Sequence, residues 1–216
     1  MNAELRPPPK QLPAERFVID PFAIEGQADF AQIFGNGNPV ELEVGCGKGG
    51  FLLRQARDHP DRNFVGVEWA NKYYKYAADR MYRWQVRNAR LVRTDARDFI
   101  KNQTPTASLH VVHVYHPDPW PKSRHQKRRL FTEDFVEQLV RVLRPGGRIA
   151  VQTDYADYFQ IIRDLLAARS ELESCDFADA EYGTPQQRTD TNFEIKYLRE
   201  GRTIHRLAFC RRGQRT

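Results

Sequence analysis

No apolar run among the 216 residues approaches the roughly 18 that a bilayer-spanning helix needs, which argues against a membrane protein. The N-terminus carries no apolar signal core, and its early prolines and Glu4 argue against a transit peptide. Cysteine is scarce. Cys46, Cys175 and Cys210 fit neither zinc nor disulfide spacing, so a reducing cytoplasm is the expected setting. His110, His113, His116 and His125 form no metal-like group with acids, and each is expected at a strand end or in solvent. No metal site, nucleophilic Cys, Ser–His pair or internal repeat is evident.

Charge is what the chain has in excess. Its 34 Lys and Arg against 28 Asp and Glu leave +6 and a pI near 9.3, which suits a polyanionic partner. With 40% hydrophobic and 29% charged residues, the composition is that of an ordinary globular chain. Residues 1–20 read as a basic arm, because RPPPKQLP favours polyproline II and Arg6, Lys10 and Arg16 lie in it. A disordered leader and an arm that orders on RNA fit equally well. Residues 21–216 read as one domain, with Phe17 to Phe34 packed on it and Gly35-Asn36-Gly37-Asn38-Pro39 as a turn.

From Val40 the pattern alternates. Strands are expected at 40–44, 63–69, 89–95, 109–115, 148–153, 172–177 and 203–211, the last at an edge or in a hairpin. Helices are expected at 51–59, 71 to about 86, shortly after 95, 131–143 and 155–169, with Thr132 as an N-cap and Arg144-Pro145-Gly146-Gly147 as a stop. The fold class that follows is α/β: a doubly wound, Rossmann-like, mostly parallel seven-stranded sheet with helices on both faces and an antiparallel C-terminal strand.

Ligands of such sheets bind beyond the carboxyl ends of the strands. Glu43, Glu68, Asp95, Asp118 and Asp154 stand at five successive strand ends and should rim one cleft, although Asp154 is also a good N-cap candidate. Gly45, Gly47 and Gly50 match a dinucleotide turn; Gly45, Gly47 and Gly49 match the looser turn of S-adenosylmethionine enzymes. Glu43 favours the second, because a carboxylate repels a pyrophosphate and welcomes an ammonium. Glu43 is then read against the methionine moiety, Glu68 against the ribose hydroxyls and Asp95 against the adenine amine.

The stretch His116 to Arg129, HPDPWPKSRHQKRR, follows the fourth strand. Pro117, Pro119 and Pro121 forbid helix and ladder pairing, so the backbone leaves as a stiff loop. Asp118 and Trp120 sit in it, and Lys122, Arg124, Lys127, Arg128 and Arg129 follow within eight residues. A carboxylate and a flat ring beside a cationic strip can hold a planar base next to a phosphate backbone.

LEVGCGKG, GVEW, TDA, PDPWPKSRHQKRRL, TD at 153–154 and T-x-F-E at 191–194 together resemble the bacterial tRNA (guanine-N7-)-methyltransferase family, from about Ile33 to Arg211. The resemblance implies S-adenosylmethionine as cofactor, tRNA as partner and N7 of a variable-loop guanine as acceptor. It implies Glu43, Gly45, Glu68, Asp95 and Asp118 at the cofactor, with Asp118 catalytic. It implies Lys122, Asp154, Thr191, Asn192, Phe193 and Glu194 at the substrate, and Arg124, His125, Gln126, Lys127, Arg128 and Arg129 against RNA. Asn192 stands where the family often has Lys, and His116 receives no role. A monomer or a homodimer is compatible with all of this. An NAD-type oxidoreductase would use the same glycines, and an exocyclic-amine methyltransferase would also place a proline-flanked acid after strand four. A non-catalytic RNA-binding module would not need the acid-rimmed cleft.

Overall fold

The β-branched runs between residues 40 and 153 become the parallel centre of the sheet, because strands covered on both faces need apolar residues on both. The computed structural model describes residues 17–178 and 191–213. Residues 1–16, which hold nearly all of the expected arm, lie outside the described residues. Eight strands pair in the order β1-β4-β3-β2-β5-β6-β8-β7. They are β1 (Val18–Ile19), β2 (Val40–Val44), β3 (Asn63–Val67), β4 (Ala89–Val92), β5 (Leu109–Tyr115), β6 (Leu143–Thr153), β7 (Leu172–Cys175) and β8 (His205–Arg211). β1 to β6 pair in parallel, while β8 runs antiparallel to both β6 and β7.

Helices α1 (Phe30–Phe34), α2 (Gly50–Asp58), α3 (Asn71–Arg83), α4 (Ala96–Asp98), α5 (Glu133–Val142), α6 (Ala156–Ala167) and α7 (Asn192–Arg199) make the connections. Val40, Leu42 and Val44 of β2 face α5 and α6 through one apolar cluster with Val112, Val114, Leu139 and Ile162. The opposite face takes α2 and α3 through Leu52, Leu53, Ala77 and Met81.

Three expectations need correction. The sheet has eight strands, since Val18–Ile19, assigned to the arm, adds to the edge beside β4. The stop at 144–147 falls inside β6: the helix ends at Val142, and a register slip between Leu109 and Val111 absorbs the extra residues. The third change concerns histidine. His113 is buried in mid-sheet, its Nε2 2.8 Å from Glu41 Oε2 and its Nδ1 2.8 Å from the Tyr115 hydroxyl. Arg62 donates to the same Glu41 at 2.8 Å. Burial raises the Glu41 pKa, but its bonds and charges with His113 and Arg62 outweigh that and hold it below the usual carboxylate value.

Candidate active site

β4, β3, β2, β5 and β6 are consecutive neighbours, so the five strand-end acids lie along one edge of the sheet. Their environments differ sharply. Glu43 is buried and accepts the Leu52 N–H at 3.2 Å. Burial pushes its pKa up to about 8, with the Leu52 bond and Arg54 opposing and Glu68 adding to the rise. Glu68 is also buried, and each of its oxygens takes one backbone N–H: Oε2 from Gly47 at 2.8 Å and Oε1 from Ala70 at 2.7 Å. A carboxylate offers about four acceptor directions, so each oxygen keeps room for a hydroxyl donor.

The turn between β2 and α2 is shaped by its glycines. Gly45, Gly47 and Gly49 have φ of 69°, 55° and 68°, a region that side chains rarely adopt. A Cβ on Gly45 would meet nothing within 4 Å, whereas one on Gly49 would come within 3.1 Å of Ala77 Cβ. The backbone is therefore open above the first glycine and packed tightly on α3 at the last. Beside this turn Trp69 is 72% exposed, an aromatic whose role the residue pattern did not single out.

Asp95 caps α4, accepting from Arg97 N at 2.8 Å, and pairs with the Arg97 guanidinium at 3.4 Å. Asp154 is not the N-cap of α6; Tyr155 holds that position, without a side-chain cap bond. Asp154 Oδ2 instead accepts from Arg202 at 2.8 Å, and Oδ1 lies 3.6 Å from His116 Nδ1. Gln152 Nε2 is 3.1 Å from His116 Nε2, and the His116 ring packs edge-on to Tyr197, so this histidine bridges β6 and α7.

Asp118 is exposed at the loop crest. The loop is braced from behind: Arg129 is buried, donates from Nε to the Pro119 carbonyl at 2.8 Å and lies 4.8 Å from the Tyr158 ring centre. Arg129 thus holds the loop, whereas Lys122, Arg124, Gln126, Lys127 and Arg128 are exposed on or beside the short helical turn Ser123–Arg128. Arg128 stacks over Trp120 at 5.1 Å, and His125 meets the same ring edge-on. At α7, Thr191 is the N-cap and accepts from Glu194 N at 3.1 Å. Glu194 is 0% exposed and bonds Arg206, so Thr191 and Glu194 fix the helix. Asn192 lies against Gly50 at the start of α2, and Phe193 is half-exposed, stacked on Tyr197.

A family model described as "Putative methyltransferase" matches residues 37–207. The chain is 34% identical over 197 residues to the tRNA (guanine-N(7)-)-methyltransferase of Syntrophotalea carbinolica, covering 90% of this chain and 83% of that one. The chain belongs to the bacterial tRNA (guanine-N7-)-methyltransferase family. Another protein of that name, from Geobacter metallireducens, is 42% identical over 142 residues, covering 66% of this chain and 67% of that one. The fold is shared with the antibiotic-resistance methyltransferase Kmr, at a TM-score of 0.54 and 20% identity over 82% of this chain and 89% of that one. Family membership closes the choice left open at the glycine turn, since the dinucleotide reading belongs to oxidoreductases. A cavity of about 740 Å³ between α6, β7 and β8 lies away from this turn and plays no part in the assignment. Among the described residues no His, Cys, Asp and Glu cluster could hold a metal, and no helix is long and apolar enough to cross a membrane.

Proposed function

We propose that the chain transfers a methyl group from S-adenosylmethionine to N7 of a guanine in the tRNA variable loop. The observation that carries this reading is a single juxtaposition. The open, acid-flanked glycine turn after β2 and the proline-stiffened Asp118 loop after β5 lie at the ends of adjacent strands, with cations trailing from the loop.

The residues present fit the cofactor. The space above Gly45 admits a ligand against the backbone, the free acceptor directions of Glu68 suit two vicinal hydroxyls, and a buried carboxyl such as Glu43 gains from an ammonium partner. Asp95 keeps one part-exposed carboxylate edge for an adenine amine. Bound S-adenosylmethionine supplies a sulfonium methyl, whose bonding pair stays on sulfur as the N7–carbon bond forms.

Guanine N7 already presents an unprotonated in-plane lone pair, so no base is needed to activate it. What the protein must supply is alignment and negative charge near a ring that becomes positive. Asp118, directed by its flanking prolines, accepts from the guanine N1–H and exocyclic amine or faces the developing charge. Lys122 and the Asn192–Phe193 edge of α7 hold the base from the other side. Arg124, His125, Gln126, Lys127 and Arg128 meet phosphates. The enzyme works in the cytoplasm as a monomer or homodimer. Incubation with labelled S-adenosylmethionine and unmodified tRNA, followed by nucleoside analysis, should yield 7-methylguanosine. Label on an exocyclic amine, or none on RNA, would overturn the proposal.

A further inference from the structure

The outward face of α3 has a composition that the fold does not require. The helix packs on the sheet through Ala77, Ala78 and Met81. Its remaining surface carries Tyr73, Tyr76 and, at the C-cap, Trp84, all at least 40% exposed. A helix that needed only to face water would gain nothing from three exposed rings.

The rings alternate with cations. Lys72, Tyr76, Arg80 and Trp84 recur every fourth residue and so form one row along the helix. The Arg80 guanidinium lies 4.4 Å from the Trp84 ring centre, and Arg57 of α2 lies 5.7 Å from the same ring. Lys48 of the glycine turn stands over Tyr76 at 5.6 Å, and Arg80 also donates to the Lys48 carbonyl at 2.9 Å. A continuous ladder therefore runs from the edge of the cofactor turn down α3 to the end of α2. Between Lys48 and Arg87 the chain has nine Lys and Arg against four Asp and Glu, a difference of +5 within a total of +6. Stacking on Trp84 and the bond to the Lys48 carbonyl hold the Arg80 guanidinium in one orientation, which lowers the entropy lost when a phosphate binds beside it.

We propose that this face of α3 is a second RNA-binding surface. It takes phosphates and unpaired bases of the tRNA on the side of the cleft opposite the Ser123–Arg128 turn, and it rests on tRNA being the substrate. β3 and β5 flank β2, so the strand ends that launch α3 and the Asp118 loop are roughly 10 Å apart, close enough for one RNA to touch both. Charge complementarity favours a polyanion over a protein partner here, and the aromatic rungs favour one with exposed bases.

The test uses the full chain with two variants on the exposed ladder and remote from the reacting atoms, Arg57→Glu/Lys72→Glu and Trp84→Ala. Both should melt like wild type and keep its S-adenosylmethionine affinity and its turnover at saturating tRNA. The KM for tRNA should rise at least tenfold in the charge-reversed variant, and the log–log salt slope of tRNA binding should shrink by roughly 0.7–0.9 for each phosphate no longer engaged. An unchanged KM and slope in folded variants would overturn the proposal. So would dissociation of a wild-type dimer by these substitutions with tRNA affinity intact, which would make the face a protein interface. Binding measured without cofactor reads the surface even where wild-type enzyme makes no 7-methylguanosine, so the two failures stay distinct.

Discussion

The Glu43 carboxylate reaches from the middle of the sheet to accept the Leu52 N–H at 3.2 Å, tying the end of β2 to the first turn of α2. Burial raises its pKa from 4.5 to about 8. Between those values the folded protein holds a proton that the unfolded chain has released. The contribution of this group to stability should therefore be greatest below pH 4.5 and fall as the pH rises toward 8, by at most about 1.4 kcal/mol per unit, against the opposite trend of Glu41 at low pH. Glu43→Gln should flatten that fall in denaturant titrations. Parallel curves for the two proteins would show that Glu43 does not carry the dependence. The same proton reports on the cofactor: an ammonium beside Glu43 favours the carboxylate, so binding of S-adenosylmethionine at about pH 7 should release a proton. Calorimetric enthalpies that vary with the buffer's heat of ionisation would register it.

Glu68 holds two backbone N–H groups and is the acceptor proposed for the ribose hydroxyls. Glu68→Ala should weaken S-adenosylmethionine binding by roughly 1.5–3 kcal/mol, because a charged acceptor disappears and the Gly47 and Ala70 N–H groups are left without their partner. Glu68→Gln presents an N–H₂ to one of two backbone donors, so its effect should approach that of Ala. Wild-type affinity in either variant would remove strand β3 from the ribose.

Much of this site is legible in the residue pattern, and the reasons for the exceptions are physical. The apolar runs locate β2 to β6 to within a few residues, because parallel strands must be apolar on both faces. β1 escapes, since two residues carry no periodicity. Asp154 resembles a cap in sequence because its partner, Arg202, lies 48 positions further along the chain. Arg129 resembles one more member of a basic run; only the fold shows that the Pro119 carbonyl and the Tyr158 ring enclose it. Thr191 and Glu194 are legible as a pair, but the fold uses them as a helix cap that places Asn192 and Phe193.

That difference between Arg129 and its neighbours separates two kinds of defect. Substituting Arg124, Lys127 and Arg128 together with Ala should weaken tRNA binding and cut the log–log salt slope by roughly 0.7–0.9 for each phosphate released, with the melting temperature unchanged. Arg129→Ala should leave the slope unchanged, lower stability by about 1–3 kcal/mol and reduce turnover, because the loop is no longer braced. Should Arg129→Ala alter the slope as a strip residue does, the brace assignment is wrong.

Asp118 gives the most discriminating test. It sits exposed between two prolines immediately beyond β5, so it adds little to the core. Its proposed work is to accept from the guanine edge and to oppose the charge that develops as N7 is alkylated, and both matter more in the transition state than in the ground state. Asp118→Asn keeps the shape but removes the charge and one acceptor. Single-turnover methylation should fall about a hundredfold or more, on the order of 3 kcal/mol. The melting temperature should stay within experimental error of wild type, and tRNA affinity should change little because the exposed cations remain. Near-normal turnover would remove Asp118 from the chemistry. A collapse in melting temperature would instead make it a turn former on which the loop depends, and the charge facing the methylated base would have to come from another acid on the same edge of the sheet.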